Sequence, residues 1–163
     1  MLLDALLLAA EKSALGVAIR DLGTWSYALI NLVHIFSIAA VFGAMLILDL
    51  RLLGWRRHIN LADLSATTLP IAVTGFVGAV ISGVCMLSVN ASEYIGNPFL
   101  VIKFGALLLA LINAAIIRFI PAWKFRAVHE PQGRAKLVLA CFGLVSLLCW
   151  ITVVSAGRMI AYW

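Results

Sequence analysis

The chain has 163 residues, of which 64% are hydrophobic and only 12% charged, with a formal net charge of +5. A soluble domain is nearer half apolar and a quarter charged, so an aqueous fold and a disordered chain are both excluded. The balance predicts a single all-α integral membrane domain over 1–163: a four-transmembrane-helix bundle with an N-terminal amphipathic interfacial helix.

In residues 1–22, Leu3, Leu6, Leu7, Ala10, Ala14 and Val17 recur at helical spacing, with Asp4, Glu11 and Arg20 mostly off that stripe. A secretory signal would begin with basic residues and continue apolar, whereas here Asp4 comes early and Glu11–Lys12 interrupt the run. The segment reads as one helix lying on the membrane surface.

The first span, 25–50, is the stretch around which the rest is organised. Tyr27, Asn31, His34 and Ser37 are spaced four, three and three apart, which makes one polar stripe on a helix. Such a stripe faces other helices, a cofactor or water, because facing lipid is costly. The second span, 67–89, places Gly75, Gly78, Ser82 and Cys85 at three-and-four spacing, a small-residue face that lets a neighbouring helix approach closely. A polar turn, Asn90–Pro98, leads into the third span, 98–120, with Pro98 in its first turn and Pro121 beyond its end. The fourth span, 135–160, ends in the aromatic pair Tyr162–Trp163, an interfacial anchor.

Basic residues set the orientation. Arg51, Arg56 and Arg57 follow the first span, and Arg118, Lys124, Arg126, Arg134 and Lys136 lie between the third and fourth. By the positive-inside rule both loops are cytoplasmic and both termini lie outside. The charge is thus a topology signal, and with no recognition motif in these loops nucleic acid is not expected as a partner. Cys85, Cys141 and Cys149 all fall in apolar spans without a CxxC pattern, which points to small core residues rather than a disulfide framework.

At 1.5 Å per residue, His34 lies roughly 13 Å below Trp25, Lys103 about 9 Å below the outer end of the third span, and Arg158 about 7 Å from the end of the fourth. Two cations with no acid within a span on that outer side suit an anionic guest. Haem b would set its iron at His34, also the candidate metal ligand, with propionates toward Lys103 and Arg158; Tyr27 and Asn31 share the His34 face. The alternative is that both cations snorkel to headgroups while His34 bonds a neighbouring helix. Since His58 and His129 fall in loops, a second axial ligand would come from Met45, Met86, Met159 or another subunit. A quinone-type ligand and copper, with Cys85 and Met86 as soft donors, are the other candidates, as is no cofactor at all. Asp49 is expected to pair with Arg118 or Arg51, and Asn113 to hydrogen-bond between helices. No nucleophile–base pair, HExxH helix, P-loop or GxGxxG stands in a usable context, so an independent enzyme is not expected.

The stretches LVHIFSIAAVFGAMLILDLRLLG, Thr74–Gly75, NPFLVIKF, LIN ending at Asn113, and SAGRMIAYW resemble a family of small bacterial four-helix inner-membrane proteins of no assigned function. The His-bearing first helix beside a small-residue second helix is more loosely similar to the copper-resistance D proteins and small b-type cytochromes. The resemblance implies a multi-pass protein of the bacterial inner membrane, both termini periplasmic, with His34, Lys103 and Arg158 at its functional end. The expected function is a small subunit that holds haem or a quinone-like cofactor at His34 for membrane electron transfer. The alternatives are a non-catalytic anchoring or assembly subunit and a copper-handling protein. The expected partners are the lipid bilayer and either a second copy of the chain or other membrane subunits.

Overall fold

The computed structural model describes residues 2–163 except the side chains at 2 and 3, so the Leu3 position of the N-terminal stripe lies outside the described residues. The described chain is helical throughout, with no strand. Two short helices, α1 (Leu2–Glu11) and α2 (Ala14–Asp21), precede α3 (Thr24–Leu53), α4 (Leu61–Val89), α5 (Pro98–Ile117), the one-turn α6 (Pro121–Lys124) and α7 (Gly133–Met159). Helices α3, α4, α5 and α7 are long and apolar enough to cross a membrane.

The long helices begin and end where capping chemistry puts them. Helix α3 runs past the expected boundary to Leu53 and stops at Gly54, whose φ of 107° is left-handed and whose amide, with that of Trp55, returns to the carbonyls of Arg51 and Leu50. Helix α4 starts at Leu61, six residues earlier than hydropathy alone indicates, because Asn60 Oδ1 accepts from the amides of Ala62 and Asp63. The first basic loop is therefore only 54–60. Helix α5 is capped by Asn97, which accepts from Phe99 N, and its Nδ2 donates to the Ile160 carbonyl at the end of α7.

Neighbouring long helices run antiparallel in the lateral order α4–α3–α7–α5, and α4 and α5 at the two edges do not pack along one another. The closest seam is α3 on α4. A Cβ on Gly75 would lie 2.8 Å from Val41 N and 2.9 Å from the Ser37 carbonyl, so the small-residue face is a backbone-to-backbone contact. Between α3 and α7, Val41, Ala44, Cys149, Trp150 and Val153 form the central core. Toward the arginine-rich end, Leu48, Leu52, Leu61, Leu139 and Trp123 close the bundle. Arg126 stacks over the Trp123 ring at 4.1 Å and donates to Ser65 Oγ at 2.8 Å, which fastens α6 to α4. Asn113 Nδ2 donates to the Phe142 carbonyl, the interhelical bond its position called for.

At the other end the expected single helix over 1–22 is two. Ser13 breaks it: its hydroxyl accepts from Gly16 N as the cap of α2. Gly16 then packs so tightly that a Cβ there would lie 2.4 Å from the Ser88 carbonyl. Leu7, rather than the whole predicted stripe, makes the seal, packing with Ala91 and Leu100. Arg20 ties α2 to the C-terminal carbonyls of two other helices, donating to Ser88 (3.3 Å) and Val89 (2.8 Å) of α4 and to Glu11 (2.9 Å) of α1. Replacing Arg20 with Met is expected to cost about 1–2 kcal/mol in thermal unfolding and to speed proteolysis within α1 and α2.

Glu11 makes a second tie, accepting from the Ser92 amide at 2.6 Å in the 3-10 turn Ala91–Tyr94. That bond holds the Glu11 carboxyl below its usual value of 4.5, with Arg20 and Lys12 adding in the same direction. The tie is complete above the unfolded value and lost as pH falls through the lower folded one. The Ser92 amide resonance is expected to shift on acidification below about pH 4.5 in the native chain and to stay put in Glu11→Gln.

Candidate functional site

His34 is placed by the α3–α4 seam. Its Cε1 would be 3.1 Å from a Cβ on Gly83, so the ring packs closely over that glycine. Its Nδ1 lies 2.9 Å from Ser82 Oγ, and that hydroxyl sits 2.5 Å from the Gly78 carbonyl. The single Ser82 proton goes to the carbonyl, so the hydroxyl oxygen accepts and His34 Nδ1 donates. The Ala79 carbonyl faces the same imidazole as a further acceptor. With the Ser82 proton on the Gly78 carbonyl, the tautomer protonated at Nδ1 is the one that satisfies this bond.

The imidazole borders a cavity of about 260 Å³ whose walls are almost wholly apolar. Phe76, Phe104 and Trp150 supply flat aromatic surface, and Lys103 is the cation at its edge. The cavity occupies the gap between α4 and α5, and its lip is formed by Val80, Val84 and Phe104, all exposed on the lateral surface. Leu87 and Leu100, which line one end, pack in the same cluster as Leu7 of α1. The N-terminal helix thus closes that end, leaving the side between α4 and α5 as the way in. The Lys103 ammonium lies beside Gly157, where a Cβ would be 3.5 Å from Nζ. Among the described residues it has no hydrogen-bond or ion-pair partner.

Of the residues the sequence singled out, the structure brings His34 and Lys103 together and leaves three outside. Arg158 is exposed, donates to Tyr162 Oη and stacks over that ring at 4.8 Å. Tyr27 meets the Tyr94 hydroxyl, which burial first, then Tyr27 and Glu93, push above its usual range. Asn31 is half-buried and does not line the cavity. Trp150 and the phenylalanines were missed; on sequence they read only as apolar residues of their spans.

The surroundings also weigh the cofactors. Neither Met45, Met86 nor Met159 lines the cavity, so among the described residues none of the expected second axial donors faces His34, and 260 Å³ is below the common small-molecule range of about 300–1,000 Å³. A single ring fits this space better than a tetrapyrrole. Cys85 lies in a separate groove with Leu29, Ile30 and Val33, and among the described residues no three His, Cys, Asp or Glu side chains converge as metal ligands.

Asp49 departs from expectation. It is 1% exposed and faces the Ser146 hydroxyl, with Oδ2 unpartnered. Arg51 does not serve it: its Nε and Nη2 are turned to the Ile59 and Arg57 carbonyls and to Glu130 at 3.2 Å. Arg118 is exposed at the end of α5. Compared with known proteins, the chain matches no family model, no curated protein and no solved structure.

Proposed function

We propose that the chain is a multi-pass membrane subunit whose lateral cavity takes the ring of a lipid-soluble quinone from the bilayer, in the service of membrane electron transfer. The observation that carries this reading is the Lys103 side chain, without a partner among the described residues, sharing with the His34 imidazole an apolar cavity that opens sideways between α4 and α5. A quinone needs that combination. Its isoprenoid tail stays in lipid through the lateral gap, its flat ring lies among Phe76, Phe104 and Trp150, and its oxygens require polar partners in an otherwise apolar site. Lys103 donates to one oxygen. His34 Nε2, having no proton, accepts the hydroxyl proton of the reduced form, so the site favours quinol over quinone.

In this reading the bilayer is the bacterial inner membrane and the arginine-rich loops face the cytoplasm, which sets both termini and the His34 end on the periplasmic side. Leu6, Leu8, Leu15 and Val17, exposed on α1 and α2, with the exposed cap residue Leu22, are the surface that rests on the membrane interface. In this reading electrons pass onward to a partner subunit or a second copy.

The test is titration of the detergent-purified protein with a short-tailed benzoquinol while Trp150 fluorescence is followed, using Trp150→Phe to subtract the other tryptophans. Saturable quenching that disappears in Trp150→Phe supports the reading. Quenching that rises without saturating and is the same in both proteins is partition into detergent and overturns it.

A further inference from the structure

A second cavity, of about 450 Å³, lies at the arginine-rich end, between the 54–60 loop and the start of α7. Arg51, Arg57, His58, Asn60, Gln132 and Lys136 line it, and Glu130 is the acid in its wall. Both Glu130 oxygens are committed, Oε1 accepting from Leu61 N at 2.8 Å and Oε2 from Arg51 Nη2 at 3.2 Å. The carboxylate thus neutralises part of Arg51 and caps α4, leaving no free acid in the cleft.

Arg51 itself is the built element. Its side chain is 10% exposed, borders the cavity and is held by three acceptors through Nε and Nη2, while Nη1 has no partner among the described residues. The first turn of α7 borders the same space. Its cap residue Gln132 makes no side-chain bond to the helix, and its carbonyl accepts from Ala135 N at 3.2 Å, so the amides of Gly133 and Arg134 are the ones without a side-chain cap. A fixed, part-buried guanidinium, two further cations (Arg57, whose Nε donates to the Gly54 carbonyl, and Lys136) and the start of α7 around one hollow form a receptor for a compact, highly charged oxyanion.

We propose that this cleft binds phosphate as the headgroup of an acidic phospholipid. Arg51 Nη1 and the α7 amides hold the phosphate oxygens, with Arg57 and Lys136 closing over them. The site stands apart from the His34 cavity, at the opposite end of the bundle.

The experiment uses the full chain in a neutral detergent and follows thermal unfolding with added phosphatidylglycerol, phosphatidylcholine or inorganic phosphate. Phosphatidylglycerol is expected to raise the melting temperature and phosphatidylcholine to leave it unchanged. In Arg57→Gln/Lys136→Gln the apparent affinity for phosphatidylglycerol is expected to fall about 25-fold, about fivefold per cation removed. Arg118→Gln/Lys124→Gln, which removes two exposed cations at the same end but outside the cleft, is expected to keep the native affinity. Arg51 is left intact because its loss would free the cap of α4. If inorganic phosphate alone gives the same rise, abolished by the same pair, the cleft serves a soluble phosphate and the lipid assignment fails. Equal loss in the two double variants means only diffuse surface charge acts and overturns the site.

Discussion

Gly75→Val is expected to abolish the α3–α4 seam and with it the stable fold. The new Cβ would fall 2.8 Å from Val41 N and 2.9 Å from the Ser37 carbonyl, and backbone atoms of a packed helix cannot swing aside as a side chain end does. Helix α3 must therefore move off α4. That separates His34 from Ser82, because their bond belongs to the same seam. Overpacking of a core costs about 1–3 kcal/mol, and a branched side chain against backbone belongs at the top of that range or above it. Gly43 supplies the comparison, since a Cβ there meets nothing within 4 Å. Gly43→Ala is expected to stabilise by about 0.4–1 kcal/mol through the entropy of the unfolded chain, while Gly75→Ala already destabilises. Thermal unfolding of the three variants in one detergent checks the contrast. Equal melting of the Gly75 and Gly43 variants would mean that α3 and α4 do not approach as described.

The same seam shows what could be read from sequence. The spans were legible because some twenty apolar residues in a row have few other uses, and the glycine face because its spacing matches a helix. The helix ends were legible in principle. Gly54 after a basic last turn and Asn60 before Leu-Ala-Asp are stop and start signals, which the loop's charge obscured. Ser13 and Gly16 marked the break between α1 and α2, but the closeness of Gly16 to Ser88 depends on how two segments far apart in the chain dock. Arg158 went astray through helical phase. Gly157 is the residue that faces Lys103, and the next position is turned by about 100°, toward its i+4 neighbour Tyr162. The pairing of Arg51 with Glu130 spans 79 residues of sequence and was not legible at all. Asp49 consequently lost the partner that its neighbourhood had implied.

Lys103→Met is expected to make the protein more stable and less able to bind. A largely enclosed ammonium with no anion is a cost to the fold, and methionine fills a similar volume without it. Losing a charge-assisted hydrogen bond to the ligand is expected to weaken quinol binding about tenfold to a hundredfold. Stability and function thus change in opposite directions, as at a residue kept for binding. If Lys103 only reached outward to a lipid headgroup, its replacement would leave quinol affinity alone. His34→Ala is expected to lose affinity by a similar factor, and His34→Gln also, since the Gln amide cannot set a bare acceptor at the place of Nε2 while bonding Ser82.

The most direct measurement is chemical identification of what the protein holds when taken gently from its own membrane. The native protein and Lys103→Met are purified in parallel, extracted with organic solvent, and the extract is resolved by chromatography and mass spectrometry, alongside a reduced-minus-oxidised absorption spectrum of each. A lipid-soluble quinone approaching one per chain in the native protein and largely lost in Lys103→Met, with no sharp alpha band in either spectrum, is the predicted result. A quinone-free native extract, or a haem spectrum that His34→Ala removes, would contradict the assignment of this cavity.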